Sequence, residues 1–179
     1  MIPILLATLL CAPASAGPQS RSASDTDEHI RQHIETYLGS IDTPVRPAQW
    51  RALGPRGAAI LESMAQDPQV LPTRRAKALD GLSAIGTPTA ADTMLRLAKS
   101  EHDPLVVRLS AVRGASRVLP TDQVAPAIEP ILDSAQDGHV RAAAAEVLSN
   151  RGACAPVRAQ AAREDDPRRL RRALQRCGR

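Results

Sequence analysis

Thiols and imidazoles offer the most chemistry per side chain, and this chain of 179 residues holds three cysteines and four histidines. Cys154 and Cys177 bracket the stretch CAPVRAQAAREDDPRRLRRALQRC, which is basic, alanine-rich and acidic at its centre. Two such thiols can grip a metal, sit in a nucleic-acid-binding tail or close a disulfide, and spacing alone leaves all three open. His29 and His33 stand four apart, so a helix would turn both rings to one side. A zincin-type site needs Glu directly after the first His, and Ile30 stands there. No third His or Cys is near in sequence, so the pair is read as two solvated histidines beside an apolar stripe. No metal site is expected.

Enzyme chemistry finds no further purchase. The chain has no G-x-S-x-G, no glycine-rich phosphate loop and no Cys-x-x-Cys. His102 adjoins Asp103, but neighbours in sequence do not make a catalytic pair, and the serines have no motif around them. Glu28, Glu35 and Glu62 fall at scattered helical surface positions. No enzymatic activity and no cofactor are expected.

The N-terminus reads MIPILLATLLCAPASAGPQS. Residues 2–12 form an uncharged apolar run of signal-peptide length, too short for the roughly 20 residues of a membrane span. Ala14-Ser15-Ala16 supplies small residues for cleavage after Ala16, so residues 1–16 are expected to be a leader and the mature chain periplasmic or secreted. Lipidation at Cys11 is the minor alternative. Residues 17–23 are small and polar, and are expected to form a linker without fixed structure. The basic residues are 21 Arg and two Lys, which with abundant Ala points to a GC-rich bacterial gene. Trp50 and Tyr37 are the whole aromatic complement. A core of Ala, Leu, Val and Ile favours closely packed helices over sheets.

Internal repetition sets the architecture. RRAKALDGLSAIG from Arg74, VVRLSAVRGASRVLP from Val106 and HVRAAAAEVLSNRG from His139 align, with Arg75, Arg108 and Arg141 at intervals of 33. A shorter copy, LRRALQRCG, places Arg171 thirty residues further on. Asp67-Pro68, Asp103-Pro104, Asp137-Gly138 and Asp166-Pro167 precede helical patterns, while Gly54, Gly86, Pro120 and Gly152 follow them. Each unit reads as a helical hairpin, with Asp103 as an N-cap and Pro104 at the first helical position. Leu105, Leu109, Val112 and Val118 form the stripe of that unit's first helix, with Val107, Arg108 and Arg113 elsewhere on the wheel. In its second helix, Val124, Ile128, Ile131 and Leu132 face one way, Pro126 sits in the first turn, and Pro130 should kink the helix. No such hairpin buries its stripe alone, so the pairs must stack on a shared core.

At this point the chain resembles the HEAT-repeat family, in its short PBS-lyase-like form. ALGPRGAAILESMAQDP (residues 52–68) looks like the end of a first helix, a Gly-Pro turn, a second helix and the inter-repeat Asp. The resemblance covers residues 47–179 and implies an all-α fold, a right-handed α-α superhelix of about four repeats with the last truncated. It also implies a structural ladder of inter-repeat Asp and first-helix Arg, matched here by Asp103 with Arg108, Asp137 with Arg141 and Asp166 with Arg171. Asp67 departs from that pattern, because QVLPT separates it from Arg74.

Residues 24–46 are read as an N-terminal capping helix and loop, with Ile30, Ile34, Tyr37 and Leu38 on one face. Solenoids hold partners on the extended surface of their second helices. The outward polar residues there are Asp92, Arg96 and Lys99, then Gln123, Glu129 and Asp133, so a protein or peptide partner is the leading expectation. From Arg151 onward nine arginines oppose three acids, a local balance of +6 within a chain of +4. Arg168, Arg169, Arg171 and Arg172 are therefore candidates for weak contact with an anionic surface. Nucleic acid is not an expected partner, since the region has no aromatic on which bases could stack. A purely structural role in an envelope complex is the other alternative.

The hairpin reading answers the opening question. Asp165 and Asp166 fall midway between Cys154 and Cys177, at the turn, so antiparallel helices bring the cysteines together at the open end. Zinc would need further ligands, and export supplies an oxidising compartment. A disulfide is expected.

Overall fold

The computed structural model describes residues 19–40 and 43–178. The proposed leader with Cys11, and residues 17 and 18 of the expected linker, lie outside them. Among the described residues, ten α-helices and one 3₁₀ turn follow in order: α1 (Gln19–Gly39), α2 (Pro47–Arg51), α3 (Gly54–Gln66), α4 (Pro72–Ile85), α5 (Pro88–Lys99), α6 (Leu105–Val118), α7 (Thr121–Ser134), α8 (Gly138–Asn150), α9 (Cys154–Ala161), the 3₁₀ turn Pro167–Leu170 and α10 (Arg171–Cys177). No strand occurs among the described residues. No described helix is long and apolar enough to cross a membrane.

Two helical layers stack. The first helices α2, α4, α6, α8 and α10 pack side by side, while α3, α5, α7 and α9 form the second layer. Contact within the first layer is the closer, and small residues allow it. A Cβ on Gly81 would lie 2.7 Å from the Trp50 ring of α2, and between the layers one on Gly114 would lie 2.7 Å from the Met94 sulfur of α5. Ala78, Ala111, Ala115, Ala144 and Ala145 are likewise fully buried. Gly86 and Gly152 end α4 and α8 with φ of 73° and 75°, a left-handed conformation that other residues resist.

The capping helix buries Ile34 and Leu38 against α3 and α4, with Ile30 and Tyr37 half-buried beside them. It begins at Gln19 rather than Ser24, so residues 19–23 of the expected linker are helical. Nothing between Gln19 and Leu38 is Gly or Pro, and helix therefore extends upstream without a breaker. Helix α6 is buried on more sides than its stripe implied. Val107 and Arg108 are inside, and Leu105 is 37% exposed. The cause is position, since α4, α5 and α8 all press on α6. Helix α7 runs unbroken from Thr121 through both prolines, and Pro126 stands in its second turn, not its first. The expected stripe of Val124, Ile128, Ile131 and Leu132 is buried.

Arginines at the 33-residue interval join the repeats, but with partners other than those expected. Arg75 pairs with Asp103 of the next repeat and donates from Nε to the Ala65 carbonyl at 2.8 Å. Asp103 is thus drawn away from capping α6, whose N-cap position is Pro104. Arg108 does not bind Asp103. Glu101 grips its guanidinium at 2.5 and 2.7 Å and also accepts from the Gln136 amide at 3.1 Å. Asp137 does not bind Arg141 because it caps α8, accepting from the His139 amide at 2.7 Å. Arg141 instead takes both oxygens of Glu164, at 2.8 and 2.5 Å. Asp166 accepts from the Arg168 amide at 3.2 Å, and Arg171 is exposed without an ion pair among the described residues. Longer side chains win at the last two joints because a glutamate spans a gap that the turn aspartates, held by their own backbone, leave open. The Arg74 guanidinium, beside the QVLPT insertion, turns to Glu35 of the capping helix.

Cys154 and Cys177 form a disulfide across the terminal hairpin, with Cα atoms 5.5 Å apart. Val157 and Leu170 are buried beneath it, and Arg158 donates to the Cys177 carbonyl at 2.7 Å.

Candidate functional site

A depression opens on the first-helix side, across the ends of α2, α4 and α6. It encloses about 740 Å³. Its apolar wall is Val45, Pro47, Trp50, Ala84 and Val118, and its polar rim is Arg51, Asp80, Ser83 and Arg117. Arg117 donates to Asp80 at 3.2 Å and to the Ser83 hydroxyl at 2.9 Å, which fixes its head at the mouth. Arg51 is exposed and has no ion-pair partner among the described residues. A second depression of about 210 Å³ shares Val45, Trp50 and Asp80 with the first, and adds Tyr37, Ser40, Thr43, Pro44 and Lys77. The two form one trough around the Trp50 side chain. Lys77 spans its far end, donating to the Leu38 and Ser40 carbonyls and capping the end of α1.

Local sequence explains the trough. Trp50 lies flat against Gly81, the one place on α4 where its ring can approach the backbone, and Tyr37 meets its edge at 5.1 Å. Both aromatics of the chain are thus spent on one junction. The sequence held the signal, two lone aromatics at the start of the array, though the second helices were the surface it favoured.

The second-helix residues are all exposed. Asp92, Arg96 and Lys99 line a shallow depression with Leu95 and Ser100, and Glu129 and Asp133 line another with Pro126 and Pro130. Gln123 joins neither. Several are already engaged across the layer: Arg96 donates to Gln66 at 2.7 Å, and Asp133 accepts from Arg163 at 2.9 Å. Of the basic C-terminal candidates, Arg169 approaches Asp166 at 4.0 Å. Arg168, Arg171 and Arg172 are exposed and make no ion pair among the described residues.

Two carboxylates have shifted affinities for protons, and both belong to the joints. Hydrogen bonds from Arg108 hold Glu101 below the usual carboxylate range. Arg141 does the same for Glu164, with burial opposing it, and Arg141 is in turn held more firmly protonated by Glu164. Neither group faces the trough, so they serve packing.

A stack of helical hairpins with charged joints defines a helical repeat protein. Residues 64–149 match the family model for HEAT repeats, and the stacked helical hairpins are those of an all-α HEAT-like solenoid. HEAT repeats generally mediate contacts between proteins. No curated protein and no solved structure matches the chain.

Proposed function

We propose that this chain is an exported, non-catalytic module that holds a protein partner through an extended segment seated in the trough around Trp50. The observation that supports the reading is the trough itself. It joins a preformed aromatic wall to a rim carrying both signs of charge, with Arg51 free to engage a carboxylate on the partner. Export rests on the apolar N-terminal run and its small-residue cleavage site. The test is site-specific photo-crosslinking in the envelope of the native host. A crosslinker at Ala84 should trap one stoichiometric protein, and Arg51→Glu should abolish that product with no change in melting temperature. Equal trapping from Arg96, or indifference to Arg51→Glu, would move the contact to the second-helix surface. Sequencing the N-terminus of the mature protein should find Gly17.

A second reading draws on the C-terminal cap. Arg168, Arg171, Arg172 and Arg176 are exposed and lack acidic partners among the described residues, which suits an anionic membrane surface. Co-sedimentation with anionic vesicles, lost on adding moderate salt, would favour it over the trough.

A further inference from the structure

The two histidines set aside by the sequence motifs come together in the fold. His29 Nε2 lies 3.2 Å from His33 Nε2, with the rings edge-on and their centroids 4.7 Å apart. Both side chains are exposed on α1. Imidazole nitrogens bind zinc at about 2.0–2.1 Å, so two of them at a tetrahedral or right-angled edge lie roughly 2.9–3.4 Å apart. The observed separation falls within that interval. We propose that His29 and His33 form a two-histidine clamp for a late first-row divalent ion.

Neutral imidazole selects Cu²⁺, Ni²⁺ and Zn²⁺, and the order of affinity places Cu²⁺ first. Ca²⁺ and Mg²⁺ prefer oxygen shells and are excluded by the same donors. No cluster of three His, Cys, Asp or Glu occurs among the described residues, so water fills the remaining coordination positions. Glu28, next to His29 in sequence, accepts from Gln32 at 3.5 Å. The clamp is also partly preset, because the His33 ring lies 6.2 Å from Tyr37, which packs against Trp50. One row of rings thus leads from the metal position to the wall of the trough.

That row supplies the assay. Trp50 is the single tryptophan, and Cu²⁺ held at the clamp should quench its emission. Titration of the folded protein cleaved after Ala16, which lacks Cys11, with Cu²⁺ in a non-coordinating buffer should give saturable one-to-one quenching, reversed by a chelator. His29→Gln and His33→Gln should each weaken binding by at least about tenfold, since each removes one of two ligands. His139→Gln should not change it. Moving the second ligand to the adjacent position on the same face, Gln32→His in the His33→Gln background, should restore much of the affinity. Far-UV circular dichroism keeps the variants comparable. Wild-type affinity in either single variant, or loss in His139→Gln, would overturn the clamp.

Discussion

Arg141 and Glu164 offer the sharpest test of how the repeats are joined. The Glu164 side chain is wholly buried and that of Arg141 is 14% exposed. Glu164 has two donors, Arg141 and Gln160, the latter at 3.1 Å. Arg141 has more: besides Glu164 it reaches the Ala135 and Gln136 carbonyls, both at 2.8 Å. The partners therefore suffer unequally when separated. Arg141→Met strands a buried carboxylate with one neutral donor, and should cost about 3–5 kcal/mol. Glu164→Leu leaves a guanidinium that keeps two carbonyls and some water, and should cost about 1–3 kcal/mol. Replacing both removes the stranded charge, so the double variant should be more stable than Arg141→Met alone. Urea unfolding of the four proteins at neutral pH measures all three differences. A double variant as unstable as Arg141→Met, or a Glu164→Leu cost above that of Arg141→Met, would refute the reasoning.

The same pair predicts an acid response. Arg141 holds the Glu164 carboxyl below its unfolded value, so the carboxylate's contribution is complete above a free-glutamate pKa of about 4.3 and fades as pH falls through the lower folded value. The stability gap between wild type and Glu164→Leu should narrow on acidification through that window, measured by unfolding at stepped pH. Cys154→Ser with Cys177→Ser opens a loop of 23 residues and should cost about 3 kcal/mol in denaturant unfolding, while protein cleaved after Ala16 should show no free thiol by non-reduced mass spectrometry. Gly81→Ala drives a methyl into the Trp50 ring and should cost about 1–3 kcal/mol, with a shift in tryptophan emission reporting the displacement.

Much of the architecture was legible because it is periodic. Arginines 33 apart, Asp-Pro and Gly punctuation, and stripes such as Val124, Ile128, Ile131 and Leu132 all describe local helices, and helices are local objects. What escaped the sequence depends on what lies opposite. Arg108 falls off the apolar stripe of α6 and was expected to meet Asp103, yet α6 is flanked on three sides and the arginine is buried against Glu101. Asp103, Asp137 and Asp166 stand at identical places in the repeat, but one joins Arg75 and the others cap their own turns. A pattern in one dimension cannot say which of two acids, Glu164 or Asp166, reaches a given arginine. The trough escaped for a similar reason, because residues 37, 50, 80 and 117 meet only when four helices and a loop are assembled. The cysteine pairing was legible because both partners flank a single turn.

The first two joints are built to one gauge. Arg75 reaches the Ala65 carbonyl and Arg108 the Ala98 carbonyl, each across ten residues, so the carbonyl half of the joint recurs after a step of 33, while the acid half differs, Asp103 for Arg75 and Glu101 for Arg108. Residues 66–98 are therefore a cassette matched at its carbonyls, and a copy sets its own Val70 where Asp103 now meets Arg75. A second copy inserted after Ala98 would present its own guanidinium to the Ala98 carbonyl and a fresh carbonyl to Arg108. With Val70→Asp in the copy to restore the partner of Arg75, such a chain should lengthen by one rung and still melt as a unit, whereas the same number of residues inserted out of phase would break both couplings at once.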